Sequence, residues 1–218
     1  MATGIDINNI KDFYTFNPRT ILDVGAQVGE FAAECREVWP EVDVFMIEGT
    51  TQCEKHLKKI GFPYAMTLLS DEIKEVKFYK QKDQATSTGN SIYREKSKYF
   101  NDDNVIIENR TTNTLNNIFG DEGGFDMIKM DTQGSEVDIM RGGTKLIEKA
   151  VMIILEMSYV DYNIGAPKAQ EVDNYMTEIG YQRGLKVGQS SQFFKNFDME
   201  YYRPIQEDFV YINKKYIT

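Results

Sequence analysis

Short, nearly continuous apolar runs alternate with amphipathic stretches along most of the chain. Residues 20–25 (TILDVG) form one such run, ending at a glycine, and residues 28–38 follow with helical character. Residues 42–48 (VDVFMIE) predict a second strand, residues 52–60 a helix stopped by Gly61, and residues 63–69 a third strand. Residues 125–130 (FDMIKM) and 151–156 (VMIILE) predict two more strands. Between them, 135–148 carries Val137, Met140 and Ile147 on one helical stripe, interrupted by Gly142 and Gly143. Apolar strands alternating with helices imply a parallel sheet covered on both faces.

Two regions break the alternation. Residues 75–80 (EVKFYK) alternate like a half-exposed strand, and 105–111 (VIIENRT) suits a partner near it or at the sheet edge. The polar stretch between them, 83–104, reads as a long loop. Residues 157–167 are irregular, a helix is expected over about 168–179, and 208–213 (DFVYIN) reads as a terminal strand. Ile7, Ile10, Phe13 and Tyr14 are spaced for one face of a short helix lying across the sheet. No repeat and no linker divides the chain, so one domain is expected over 1–218. Its parts are an N-terminal helical segment (1–16), a cofactor-binding core (17–156) and an acceptor-side segment (157–218).

Composition narrows the chemistry. Hydrophobic residues make up 41%, enough for a packed core. Twenty-five basic residues against 34 acidic ones give a net charge of −9, which disfavours a duty built on gripping nucleic-acid phosphates. No secretory signal pattern and no apolar run of membrane-spanning length are present. Cys35 and Cys53 form no framework and suit reduced thiols, so a cytoplasmic setting is expected. With His56 as the one histidine, in a Lys-rich helix, catalysis must run on carboxylates, hydroxyls, amides or a cofactor.

The first strand leads into Asp23-Val24-Gly25-Ala26-Gln27-Val28-Gly29. Glycines at a strand-to-helix turn let the backbone pass close to a ligand, and the helix start offers free N–H groups to an anionic group. The spacing is not GxGxxG, the pattern a dinucleotide pyrophosphate favours. Glu48 ends the second strand before Gly49, where a carboxylate can accept both hydroxyls of an adenosine ribose. Together these favour S-adenosylmethionine over NAD. A NAD-dependent Rossmann dehydrogenase and a degenerate nucleoside-binding module stay open as alternatives.

The pieces ILDVGAQVGEF, MIEGT, LLSDE, TGNSIY, RTTNTLNNI, FDMIKMDTQGSEVDIMRGG and VMIILEMS, in this order, resemble the FkbM family of S-adenosylmethionine-dependent methyltransferases. The resemblance implies a class I methyltransferase fold, Rossmann-like and α/β, with a mainly parallel seven-stranded sheet. It also implies O-methylation of a hydroxyl, often on a sugar or glycosylated metabolite. Similar members carry Asp-x-Glu-Gly-x-Glu where this chain has Asp131-Thr132-Gln133-Gly134-Ser135-Glu136, so the carboxylate expected at 133 is missing.

On this reading Asp23, Gly25, Ala26, Gln27 and Gly29 surround the methionyl part of the cofactor. Glu48 and Gly49 meet the ribose, Leu69, Ser70 and Asp71 flank the adenine, and Asn90 and Ser91 contact cofactor or substrate. The acceptor is a small molecule or glycan reached by Tyr159, Asp161 and Tyr162, within an aromatic-rich region that includes Phe193, Phe194, Tyr201 and Tyr202. Asp131 is the leading acid–base residue for in-line transfer, with Glu156 beside it. The same two carboxylates could hold Mg²⁺, although a metal-free base is favoured.

Overall fold

A computed structural model describes residues 4–189 and 205–217. Phe193, Phe194, Tyr201 and Tyr202 lie outside the described residues. Among the described residues, ten strands run as β1 (Thr20–Val24), β2 (Asp43–Glu48), β3 (Tyr64–Met66), β4 (Leu68–Leu69), β5 (Glu75–Gln81), β6 (Val105–Asn113), β7 (Met127–Met130), β8 (Met152–Ser158), β9 (Tyr181–Gln189) and β10 (Gln206–Asn213). The helices are α1 (Ile7–Tyr14), α2 (Glu30–Val38), α3 (Glu54–Ile60), α4 (Leu115–Phe119), α5 (Glu136–Arg141), α6 (Thr144–Ile147) and α7 (Ala169–Glu178), besides short 3₁₀ turns.

The main sheet has seven strands in the order β3-β2-β1-β7-β8-β10-β9. The pairs from β3 to β8 are parallel, while β10 is antiparallel to both β8 and β9. This is a Rossmann-like α/β sheet whose chain direction reverses outward from β1, creating a crevice at the carboxyl ends. One face packs on α1, α2 and α3 through Ile10, Phe31, Cys35 and Leu57. The other packs on α5, α6 and α7 through Val137, Met140, Ile147 and Met176. Among the described residues, no helix is long and apolar enough to cross a membrane.

The third predicted strand is in fact two. β3 joins the main sheet, whereas β4 pairs parallel to β6 in a small sheet ordered β4-β6-β5. The single helix expected over 135–148 is also two. A Cβ on Gly142 would stand 2.2 Å from the Ser70 carbonyl oxygen, and one on Gly143 would stand 2.7 Å from Leu115. The double glycine therefore lets α5 and α6 press against the backbone after β4. Gly61 closes α3 in the left-handed conformation, as a helix-stopping glycine should. β9 has no counterpart in the hydrophobic pattern. It is an edge strand whose exposed positions carry Gln182, Arg183 and Gly184.

Candidate functional site

A cavity of about 810 Å³ lies over the carboxyl ends of β1, β2 and β7. The glycine loop forms one wall. Gly25 has φ +78°, and a Cβ there would come within 2.0 Å of the Asp131 carbonyl oxygen, so the loop and the segment after β7 can meet only at a glycine. Gln27 and Gly29 also have positive φ, at 48° and 86°. Glu48 steadies this wall: its carboxylate accepts from the backbone N–H of Gln27 at 2.8 Å and of Thr50 at 2.6 Å.

The loop between β5 and β6 lies across the cavity. The Gln27 side-chain amide donates to the Thr86 carbonyl at 2.7 Å. Asn90 accepts from the Gln81 N–H and donates to the Ala85 carbonyl, which fixes the loop's own turn. Ser91 Oγ sits 3.0 Å from each of the Thr132 and Gln133 carbonyl oxygens, tying the loop to the segment after β7.

Gly25, Ala26, Gln27, Glu48, Gly49, Leu69, Asn90, Ser91, Asp131 and Tyr162 all line this cavity. Several expected residues do not. Ser70 is buried and donates to Asp71, whose carboxylate is held by Lys74 at 2.6 Å, so both turn away from the space that Leu68 and Leu69 face. Tyr159 donates to Glu207 near the surface, and Asp161 pairs with Lys96. Gly29 packs behind the wall against Ile60. Asp23 is fully buried beneath the wall.

Charge is concentrated at the end of β7. Lys129 Nζ lies 3.6 Å from Asp23 Oδ1 and 3.4 Å from Asp131 Oδ2. Burial pushes the Asp23 carboxyl up to about 6, against the pull of Lys129. Burial likewise disfavours the Lys129 ammonium, but Asp131, Asp23, Asp208 and Glu156 outweigh it and hold it above the ordinary lysine range. Asp131 is one-third exposed on the cavity. Gln133, in a left-handed conformation with φ 57°, donates from its amide to both Asp131 and Glu156. Gln206 donates to Glu156 at 2.8 Å. Burial raises Glu156 well above the carboxylate range, and the charges of Asp131, Asp208 and Glu136 add to it.

The expected Mg²⁺ site on Asp131 and Glu156 finds no support in this donor set. An amide N–H from Gln133 reaches each carboxylate, an arrangement suited to hydrogen bonding and not to a shared cation. Among the described residues, no three His, Cys, Asp or Glu side chains gather in a way that could hold a metal ion.

Sequence reasoning missed Lys129, Gln206 and Asp208. Lys129 is readable as a charge inside an otherwise apolar strand. Asp208 pairs in register with Glu156 across β10 and β8, a relation that no sequence spacing reveals. Burial, reinforced by the Asp131 charge, pushes Asp208 up to about 7. A carboxyl raised in the folded state contributes stability below its unfolded value near 4, and that contribution is lost as pH rises through about 7. Asp208→Asn is therefore expected to raise Tm at pH 8 by several degrees, corresponding to roughly 1–3 kcal/mol. The gain should fade to nothing at about pH 4. Thermal melts across that range check this, and a gain independent of pH would contradict it.

Residues 23–183 match the model of the Methyltransferase FkbM domain. Among solved structures, Streptococcus pneumoniae Sp1610 is similar at 11% identity, over 96% of this chain and 70% of that one, with a TM-score of 0.52. Magnesium protoporphyrin IX methyltransferase from Synechocystis is similar at 9% identity, over 94% and 74%, with a TM-score of 0.49. None of the curated proteins matches this chain.

Proposed function

The chain belongs to the FkbM methyltransferase family, and from that premise we propose that it methylates a hydroxyl of a sugar, glycan or glycosylated metabolite. Membership makes it an S-adenosylmethionine-dependent methyltransferase and removes the NAD-dependent dehydrogenase alternative. The observation that carries the hydroxyl reading is Asp131, a carboxylate open to the cavity, with Lys129 beneath it and Gln133 beside it.

The residues fit the cofactor. The glycine loop at Gly25, Ala26 and Gln27 leaves room for the methionyl chain, and Glu48 and Gly49 would hold the ribose. Leu68 and Leu69 would pack on the adenine, with Asn90 and Ser91 closing over it. S-adenosylmethionine supplies a methyl group already activated by a sulfonium. The protein then needs to align an acceptor oxygen and take its proton. Alignment is worth several kcal/mol, and a placed base about 10²–10⁴-fold. Asp131 is the base in this reading. Gln133 fixes its orientation. Glu156, held by Gln133 and Gln206, keeps those amides in place, and Tyr162 offers an aromatic wall to an acceptor. The cavity wall carries Glu30, Glu48, Glu95 and Asp131 against Lys129, a balance that suits nucleic-acid phosphates poorly.

Two measurements test the reading. Calorimetry with S-adenosylhomocysteine should give heat with the folded protein, and its absence would sink the donor assignment. A screen with tritium-labelled donor against sugars, nucleotide sugars, peptides and RNA should label a sugar hydroxyl. Labelling only of peptide or RNA rules the sugar acceptor out. Excess EDTA is expected to leave the rate unchanged, and loss of activity restored by Mg²⁺ would revive the metal.

A further inference from the structure

Asp23 has no route to a ligand. It is 0% exposed, it does not line the cavity, and neither of its oxygens has a hydrogen-bond partner at normal distance. Lys129, its in-register partner on the neighbouring strand β7, does line the cavity. Among the described residues it is the one cation on that wall.

The surroundings of Lys129 leave it unsaturated. Its ammonium has three N–H donors. Its oxygen neighbours are Asp23 at 3.6 Å, Asp131 at 3.4 Å and the Gly25 carbonyl at 3.4 Å. All are longer than the roughly 2.7–2.9 Å of a good charge-assisted bond. Two carboxylates keep the buried ammonium charged without satisfying it. The Gly25 carbonyl places it at the glycine loop, where the methionyl end of the donor would lie.

We propose that Lys129 receives the α-carboxylate of the donor's methionyl group, with Asp23 serving as its buried counter-charge and making no contact with the donor. The proposal rests on the donor reading above. Asp23, expected from the sequence to meet the methionyl part, is then the support, and Lys129 is the contact.

The test needs two ligands: S-adenosylhomocysteine, and its decarboxylated analogue, which keeps the adenosine and the amine. By calorimetry, the wild-type protein should bind the first more tightly by roughly 10- to 100-fold, the range for a hydrogen bond to a charged group. Lys129→Met should remove that preference while leaving the analogue's affinity within about threefold. Because Lys129→Met strands the Asp23 charge and endangers folding, the double variant Asp23→Asn/Lys129→Met is titrated beside it. Lys129→Arg should restore part of the preference. Equal weakening of both ligands, or an unchanged preference in the double variant, overturns the proposal. A wild-type protein that binds both ligands equally overturns it while leaving the donor reading intact. Silence toward both ligands overturns the donor reading and this proposal with it.

Discussion

Asp131→Asn is expected to lower kcat by about 10²–10⁴-fold while leaving S-adenosylhomocysteine affinity within a few-fold of wild type. Asparagine keeps the shape of the side chain and an oxygen for the Gln133 amide, so the local hydrogen bond at 3.1 Å can persist. What disappears is a proton acceptor open to the cavity. The acceptor found in the screen, used in single-turnover assays, separates chemistry from release. An unchanged single-turnover rate with cofactor affinity intact would remove Asp131 as the base. A fall in affinity equal to the fall in rate would make it a cofactor ligand instead.

Gly25→Ala should damage both the fold and the donor site. The position has φ +78°, which costs an L-residue about 1–2 kcal/mol. The added Cβ would also stand 2.0 Å from the Asp131 carbonyl oxygen, a backbone atom that cannot swing aside. Strain of this kind adds about 1–3 kcal/mol. Against a total stability of about 5–15 kcal/mol, the variant should melt some 5–15 °C lower. Forcing β1 and β7 apart would also move Gln27 off Glu48 and shift Asp131, so S-adenosylhomocysteine binding should fall at least tenfold. A melt within about 2 °C of wild type, with normal binding, would mean that the two loops part freely.

The sequence carried the core well because that part of the fold is written locally. β1, β7 and β8 and the second half of β2 are largely buried on both faces, and such strands read as continuous apolar runs. Gly25, Gln27 and Glu48 were legible for the same reason, since each sits at a fixed offset from a strand end. The less visible elements depend on distant partners. β9 is an edge strand supported by β10, α1 and α7, and Gly184 lets the Tyr14 hydroxyl lie close against its backbone. Asp71, expected beside the adenine, lies off the cavity with its carboxylate held by Lys74, a partner three residues away that the strand pattern does not reveal. Gln133 breaks the pattern of similar members, yet its amide touches two carboxylates at once, a role for which a third carboxylate would be poorly suited.

The placement of β10 has a consequence for the timing of activity. β10 lies inside the main sheet, between β8 and β9, although it is made after both. Until residues 206–213 emerge during synthesis, β8 has an open edge, β9 has no sheet to join, and Gln206 cannot reach Glu156. α1 waits as well, because the Asp6 N–H donates to the Val187 carbonyl of β9 and the Leu185 N–H of β9 donates to the Tyr14 hydroxyl of α1. The donor cavity is built almost wholly from residues before 163, so a nascent chain can shape it early. The amide support beside Asp131 is completed only when long-range pairing closes the sheet, a slow class of folding event. A growing chain should therefore become able to bind its donor before its acceptor side is complete.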